Sequence, residues 1–179
     1  MRNETPKPKF LRKRNRLSNY DYSREGTYFI TICTKGQQKI LADTADVASS
    51  RLSLISIARP QLTEAGKIVE SKLKTIADIY PAATIDRYVI MPNHIHVIIV
   101  IRHPKDGRAM LAATPTLSHI IQQYKGAVTK QLKEAIWQPS FYDRIIRNQE
   151  EYDEYCRYIA EKPRGCADNC PFIENGPEV

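Results

Sequence analysis

One segment constrains the fold of this chain more than any other: VIMPNHIHVIIVI, residues 89–101. Apolar and β-branched residues fill both of its ends, and the turn-forming pair Pro92-Asn93 divides it. The preceding stretch ATIDRYVI, residues 83–90, is also rich in residues that favour strands. Two such segments joined by a short turn predict a β-hairpin whose second strand, HIHVIIVI, is largely buried.

Two histidines stand inside this otherwise apolar strand. Because strand side chains alternate between faces, His94 and His96 point one way, and Ile95 points the other way with Val97 and Ile99. The two imidazoles are about 6–7 Å apart at Cα, close enough to bind one divalent cation. Burying them in an apolar layer without polar partners would be costly, so we expect this face to be solvated or to hold a metal. Two half-exposed histidines on a sheet surface are the alternative to a metal site.

The order of the other predicted elements indicates the fold class. An α+β fold is expected, with helices mainly on one face of an antiparallel sheet, as in a ferredoxin-type core. The helix that begins near residue 62 has Thr63 as its N-cap and Pro81 as its stop. The predicted segments are a strand at 26–35, a short strand near 51–57, a helix at 62–80, the hairpin, a loop at 102–115, a helix at 116–135, a turn and strand at 136–148, and a helix at 148–163.

Positive charge is concentrated at the N-terminus. The chain carries a net charge of +7 and has a pI of about 9.2, which favours an anionic partner, nucleic acid first. Residues 1–17 form a basic arm. The arm is either a solvated tail or a segment that contacts phosphates. Its candidate DNA-binding residues are Arg12, Lys13, Arg14 and Arg16. The expected division of the chain is this arm, a domain at 18–163 and an irregular tail at 164–179.

The sequence also argues against a membrane protein, a secreted protein and a disulfide-rich protein. No apolar run reaches the roughly 18 residues of a membrane span, and no apolar stretch near the start resembles a signal peptide. A cytoplasmic protein without a membrane partner is therefore the default expectation. The four cysteines are too few for a disulfide framework. Cys166 and Cys170 could form half of a zinc site, but no second pair lies nearby, so free thiols are expected.

Three motifs in order resemble one family. MPNHIH on a strand, WQPSFYDRIIR, and EYCRYIAEKP on a helix, together with YDYSREGTYFITICT near the start, resemble the REP-associated tyrosine transposases. These are domesticated relatives of the single-tyrosine insertion-sequence transposases, within the HUH endonuclease superfamily. The resemblance covers residues 18–163 and implies a ferredoxin-like HUH core. It also implies that His94 and His96 bind Mg²⁺ or Mn²⁺, and that Tyr158 attacks a single-stranded DNA phosphodiester to form a 5′-phosphotyrosine.

The sequence departs from the family pattern at one important position. The family usually has asparagine, the third metal ligand, four residues after the nucleophile, where this chain has Lys162. Helical spacing puts Glu154, Tyr158 and Lys162 on one stripe, and a protonated lysine cannot coordinate a metal. Three outcomes are open. Glu154 or water completes the coordination, Lys162 instead supplies positive charge at the scissile phosphate, or the site has lost its activity.

Several residues compete for roles in chemistry or in binding. Tyr124, on the helix at 116–135, is the second choice for nucleophile, and packing or lining a DNA groove is expected of it. DNA binding is expected of the basic arm together with Arg144 and Arg147. Trp137 is a candidate for stacking on unpaired bases, as Tyr142 is less strongly, although such aromatic residues more often belong to a core.

Three classes of function remain open from the sequence. The leading hypothesis is a metal-dependent nickase and strand-transferase of hairpin-associated single-stranded DNA. The second, motivated by Lys162, is a former transposase that holds DNA hairpins without cutting them. The third is a metallohydrolase unrelated to nucleic acid, which the positive charge disfavours. A monomer and a homodimer are both compatible with the resemblance.

Overall fold

A four-stranded antiparallel sheet dominates the computed structural model, which describes residues 20–22, 24–43, 61–102 and 115–161. These described residues also form a two-stranded ribbon, a short 3₁₀ helix (Lys35–Gln37) and four α-helices. The strands are β1 (Gly26–Cys33), β2 (Ala42–Asp43), β3 (Gln61–Leu62), β4 (Ala83–Met91), β5 (His94–Ile101) and β6 (Tyr142–Ile146). The helices are α1 (Glu64–Lys74), α2 (Ile76–Ile79), α3 (Leu117–Leu132) and α4 (Gln149–Glu161).

The large sheet has the strand order β4-β5-β1-β6, with every neighbouring pair antiparallel. The predicted hairpin is present: β4 and β5 are joined at Pro92-Asn93, and Met91 pairs with His94 across the turn. With helices between β1 and β4 and between β5 and β6, the chain follows the β-α-β-β-α-β succession of ferredoxin-like folds. The predicted α+β class is confirmed.

Threonine residues cap the N-termini of α1 and α3. The Thr63 hydroxyl accepts a hydrogen bond from the Gly66 amide at 3.1 Å, as predicted, and Thr116 caps α3 in the same way. The predicted single helix at 62–80 is instead two helices. Thr75 interrupts it, because its hydroxyl donates to the Lys72 carbonyl at 2.9 Å and its ψ of −4° opens the helical turn.

The sheet has helices on both faces. On one face the side chains of Ile95, Val97 and Ile99 are buried against α1 and α3 in the larger apolar cluster. On the other face α4 covers a smaller cluster centred on Phe29 and Ile98. Three of the four helices therefore share one face, as expected, and α4 stands alone on the face to which the two histidines point.

Several predicted features lie outside the described residues. They include the basic arm at 1–17, the short strand near 51–57, most of the loop at 102–115, and the tail with Cys166 and Cys170. The division of the chain into arm, domain and tail thus stays a prediction. Within the described ranges, no helix has both the length and the apolar character needed to cross a bilayer.

Candidate functional site

The two histidines begin β5 and are fully enclosed. His94 is 2% exposed and His96 is 0% exposed, so the alternative of half-exposed surface histidines is wrong, and so is a solvated face. Strand alternation does place them together, on the face that α4 covers. A buried pair of imidazoles needs polar partners to offset the loss of water.

Each imidazole has such partners. His94 Nδ1 lies 2.7 Å from the Asn93 side-chain oxygen, and His96 Nδ1 lies 2.9 Å from the Thr31 hydroxyl. The Nε2 atoms of the two rings are 3.1 Å apart. Since an amide oxygen only accepts, His94 Nδ1 carries a proton and a neutral His94 presents a lone pair at Nε2. When both rings are neutral, His96 Nε2 donates a hydrogen bond to His94 Nε2, and the Thr31 hydroxyl donates a hydrogen bond to His96 Nδ1.

The donor atoms fit a divalent cation. Two ligands about 2.1 Å from one ion and about 90° apart are separated by about 3.0 Å, close to the observed Nε2–Nε2 distance of 3.1 Å. The Thr31 hydroxyl can accept as well as donate, so it can also support the tautomer of His96 that offers Nε2 to a metal. His94 and His96 are therefore able to hold a metal together.

A third protein ligand is not evident in the described part of the chain. No group of three His, Cys, Asp or Glu residues there is placed to hold a metal ion. Glu154 is exposed on α4, and Lys162 falls just beyond the described residues. The remaining coordination positions would therefore fall to water or to oxygen atoms of a substrate.

Tyr158 reaches the histidine pair from α4. Its hydroxyl is 3.4 Å from His96 Nε2, and its ring meets the imidazole edge-on with centroids 5.1 Å apart. The two residues are 62 positions apart in the chain and belong to different elements. The structure thus brings together the residues for which the family motifs predict metal binding and nucleophilic attack.

An aromatic stack around Phe29 packs against this arrangement, and no sequence motif indicated it. Phe29 stacks on His96 at 5.1 Å and on Tyr155 at 4.4 Å, and it packs edge-on against Tyr158 at 5.9 Å. Alternation along β1 shows that Phe29 and Thr31 share a face. Which residues of β5 they lie beside depends on the register between β1 and β5, and the spacing of residues in the sequence does not reveal that register. Asn93, placed next to His94 by the turn, was missed in the same way.

The start of α4 is fixed by a reciprocal cap. The Asn148 side chain accepts from the Glu151 amide at 2.8 Å, and the Glu151 carboxylate accepts from the Arg147 amide at 2.8 Å. One turn later, the Tyr152 hydroxyl donates to an Asp86 carboxylate oxygen at 2.6 Å. That hydrogen bond raises the pKa of Tyr152 to about 12. The cap determines where α4 begins after β6, and the Tyr152–Asp86 hydrogen bond joins α4 to β4.

Of the two predicted DNA-binding residues near β6, Arg144 lies on the face of the site. Arg144 is exposed and pairs across the sheet with Phe29, so its side chain starts on the histidine face. Burial raises the pKa of the Tyr155 hydroxyl, and the positive charge of Arg144 opposes that rise. Arg147 is exposed at the end of β6. The four basic residues proposed in the arm lie outside the described residues.

Two aromatic candidates belong to the core on the opposite face. Trp137 is only 8% exposed and pairs with Thr34 in an isolated β-bridge, so the expectation that it stacks on bases is not supported. Tyr124 is 3% exposed, and its hydroxyl donates to the Val69 carbonyl at 3.2 Å. Burial raises the pKa of Tyr124 far above its ordinary value, which disfavours the phenolate. The structure argues against Tyr124 as an alternative nucleophile and assigns it to packing.

Comparison with known proteins points in the same direction as the motifs. An uncharacterized protein of Haemophilus influenzae is 29% identical over 169 residues, covering 85% of this chain and 88% of that protein. A second H. influenzae protein, named "Putative REP-associated tyrosine transposase", is 24% identical over 155 residues, covering 82% of this chain and 76% of that protein. No protein-family model matches the chain.

A solved structure shares the fold. The REP-associated tyrosine transposase bound to a REP hairpin superposes with a TM-score of 0.57 at 21% identity, covering 82% of this chain and 73% of that one. The resemblance that the sequence motifs indicated is therefore confirmed in sequence and in fold.

Proposed function

We propose that this chain is a REP-associated tyrosine transposase that cuts and rejoins hairpin-associated single-stranded DNA through Tyr158. One observation carries the proposal: the Tyr158 hydroxyl lies 3.4 Å from His96 Nε2, which in turn lies 3.1 Å from His94 Nε2. The proposed nucleophile therefore lies beside the two proposed ligands of a divalent cation. A hairpin is the proposed partner because the solved neighbour is bound to one.

The chemistry would be an exchange of phosphodiester bonds. The Tyr158 oxygen attacks phosphorus and forms the tyrosine–phosphate bond, while the bond from phosphorus to the 3′ oxygen of the neighbouring nucleotide breaks. The departing 3′ oxygen takes a proton and becomes a hydroxyl group. Attack by a 3′ hydroxyl on the phosphotyrosine reverses the step and restores a DNA strand without an external energy source.

The surrounding residues would prepare this attack. A Mg²⁺ or Mn²⁺ ion held by His94 and His96 would polarise the scissile phosphate. A tyrosine hydroxyl has a pKa of about 10, so the nucleophile must lose its proton in a site that favours the phenolate. Phe29 and Tyr155 exclude water from one side of the imidazole by stacking. Arg144 supplies positive charge on the same face for the backbone of the bound strand.

A second function fits the same structure. Glu154 is exposed, and Lys162 stands where the family has its asparagine ligand. A chain with only two protein ligands could hold a hairpin and cut it poorly or not at all. We keep a catalytically weakened hairpin-binding protein as the alternative.

The proposal is tested with single-stranded DNA that carries an imperfect hairpin and a label, incubated with Mn²⁺ and resolved on a denaturing gel. Wild-type protein should give a covalent adduct, and Tyr158→Phe should reduce it by at least about 10³-fold because the covalent step has no substitute nucleophile. Tyr155→Phe is the matched control, since it removes a hydroxyl from the same helix one turn earlier. It should change the adduct yield only a few fold.

Each other outcome has a distinct meaning. An undiminished yield of adduct with Tyr158→Phe would show that Tyr158 is not the nucleophile. Tight hairpin binding by wild-type protein, with no adduct in any divalent metal, would favour the binding protein. Negligible DNA affinity even at low salt would instead favour the hypothesis of a metallohydrolase that acts on other substrates.

A further inference from the structure

We infer that the hydrogen bond between Tyr152 and Asp86 is a positioning contact that sets where Tyr158 meets His96. This inference rests on the proposed function, because it concerns the placement of the proposed nucleophile. The contact lies on the edge of the sheet, and neither partner touches the histidine pair. Its role would be to fix α4 along its own axis.

The geometry of β4 makes the contact available. The pairing of β4 with β5 shifts its register between Ile85 and Arg87, so Asp86 is an extra residue outside the regular ladder. From this bulge the Asp86 carboxylate accepts from Tyr152 at 2.6 Å. The Arg87 side chain lies 3.8 Å from the same carboxylate oxygen. The bulge of β4 therefore presents the acceptor that holds one hydroxyl of α4.

Apart from the Tyr158–His96 contact itself, the described α4 interface consists mainly of apolar and aromatic packing. Below Tyr152 the helix packs through Tyr155, Cys156 and Ile159, which lie against Phe29 and the apolar side chains beside it. Apolar contacts are non-directional, so they hold a helix onto a sheet but resist sliding or rotation weakly. A short hydrogen bond is directional. Tyr158 follows Tyr152 by six residues, or about 9 Å along the axis, so a shift at one is transmitted to the other.

Stability alone does not account for the contact. It is exposed to solvent, and the Asp86 side chain retains 34% exposure. Exposed polar pairs contribute little to the free energy of unfolding. Placement has a larger effect in an enzyme, because a displacement of about 1 Å at the reacting atoms can lower the rate about 100-fold.

The same strand provides a matched control. Tyr88, also on β4, donates from its hydroxyl to the Glu70 carboxylate of α1 at 2.8 Å. This is the same kind of tyrosine–carboxylate contact between β4 and a helix, but it lies on the opposite face of the sheet. Tyr88→Phe and Tyr152→Phe therefore make the same chemical change, and only the second affects the helix that carries Tyr158.

The experiment measures single-turnover adduct formation at saturating hairpin DNA, and separately the hairpin Kd. Tyr152→Phe and Asp86→Ala should each slow the adduct-forming step about tenfold or more while changing the Kd less than about twofold. The double variant should be no slower than either single variant, because both remove one contact. Tyr88→Phe should leave the rate unchanged.

A second measurement does not need cleavage. In ¹⁵N-labelled, DNA-free protein, Tyr152→Phe should shift the imidazole resonances of His96, which Tyr158 faces, and Tyr88→Phe should not. An unchanged His96 signal in Tyr152→Phe would overturn the inference. So would a wild-type rate of adduct formation, or an equal loss of rate in Tyr88→Phe. Absence of the adduct in wild-type protein, with the His96 shift present, would remove the proposed function and leave the positioning contact standing.

Discussion

The two faces of the sheet are built from alternate residues of the same strands, yet they have opposite characters. Under α1 and α3, β5 buries Ile95, Val97 and Ile99 in a cluster of apolar side chains. Under α4, the same strand buries His94 and His96. The first face stabilises the fold by removing apolar area from water. The second face instead buries two imidazole groups, and burial of a polar group is costly unless that group is hydrogen-bonded.

The difference shows how a small domain can hold a reactive site without losing its fold. The histidine face depends on polar contacts as well as on its smaller apolar cluster, because Thr31, Asn93 and Tyr158 contact the buried imidazoles. The opposite face depends mainly on its larger apolar cluster. Substitutions on the two faces should therefore separate cleavage from folding, and the following predictions test that separation from the largest effect to the smallest.

Replacing His96 with leucine should abolish the metal-assisted reaction and leave the protein folded. We expect the rate of adduct formation to fall at least about 10³-fold, since metal polarisation of the phosphate contributes several kcal/mol. The substitution takes a hydrogen-bond partner from the buried Thr31 hydroxyl and from His94 Nε2, so we expect the protein to lose roughly 1–3 kcal/mol of stability and yet remain folded. The rate is measured in single-turnover assays with Mn²⁺, and the melting temperature serves as the control. A folded His96→Leu protein that still cuts at the wild-type rate would refute the metal assignment.

Replacing Ile95 with alanine should have the opposite result. This side chain is 0% exposed on the α1 and α3 face, and truncating it should lower the free energy of unfolding by about 2–5 kcal/mol. Urea denaturation gives the change directly. The rate of adduct formation per folded molecule should stay near wild type at a temperature where the variant is folded. Full stability combined with lost cleavage would mean that the two faces are not separable.

Replacing Thr31 with valine should weaken metal binding without unfolding the protein. The hydroxyl lies 2.9 Å from His96 Nδ1, and loss of such a supporting hydrogen bond typically lowers metal affinity about 10- to 100-fold. Mn²⁺ affinity is measured by calorimetry or by electron paramagnetic resonance. Thr27→Val, which changes the same residue type at the far end of β1, is the control and should bind Mn²⁺ like wild type. Equal affinities in all three proteins would contradict the role of Thr31.

Replacing Tyr124 with phenylalanine should affect only stability, and only slightly. At neutral pH the lost hydrogen bond should cost about 0.5–1.5 kcal/mol. Burial raises the pKa of Tyr124, so its stabilising contribution is complete below the unfolded value of about 10 and is lost as the pH rises further. The stability gap between wild type and variant should therefore narrow above about pH 10 in urea titrations. Loss of the DNA adduct in this variant would mean that Tyr124 is again a candidate for the nucleophile.

Local features of the fold could be predicted because local physics determines them. Thr63 and Thr116 cap helices through bonds to amides three residues ahead, and Pro92-Asn93 closes the hairpin. The break at Thr75 was missed because a threonine in the middle of a helix looks neutral in a sequence. Its hydroxyl finds the Lys72 carbonyl only once the helix has formed.

The candidate site could be predicted only in part. Alternation alone indicated that His94 and His96 share a face, but Tyr158 was found through its resemblance to a family motif. Two partners of His96 are distant in the chain: Thr31 lies 65 positions earlier, and Tyr158 lies 62 positions later. Contacts at such separations depend on strand register and on which face a helix covers. Neither follows from the spacing of residues, which is why Phe29 and Asp86 gave no sequence signal.

The bulge at Asp86 has a consequence beyond the helix that it faces. In the described sheet β4 is an edge strand, and a regular edge offers a row of backbone groups on which another chain could add a strand. The shifted register between Ile85 and Arg87 interrupts that row, and two opposite charges flank the gap. We therefore expect the residue that receives Tyr152 also to make this side of the domain less open to edge-to-edge pairing, since a bulge interrupts a regular edge.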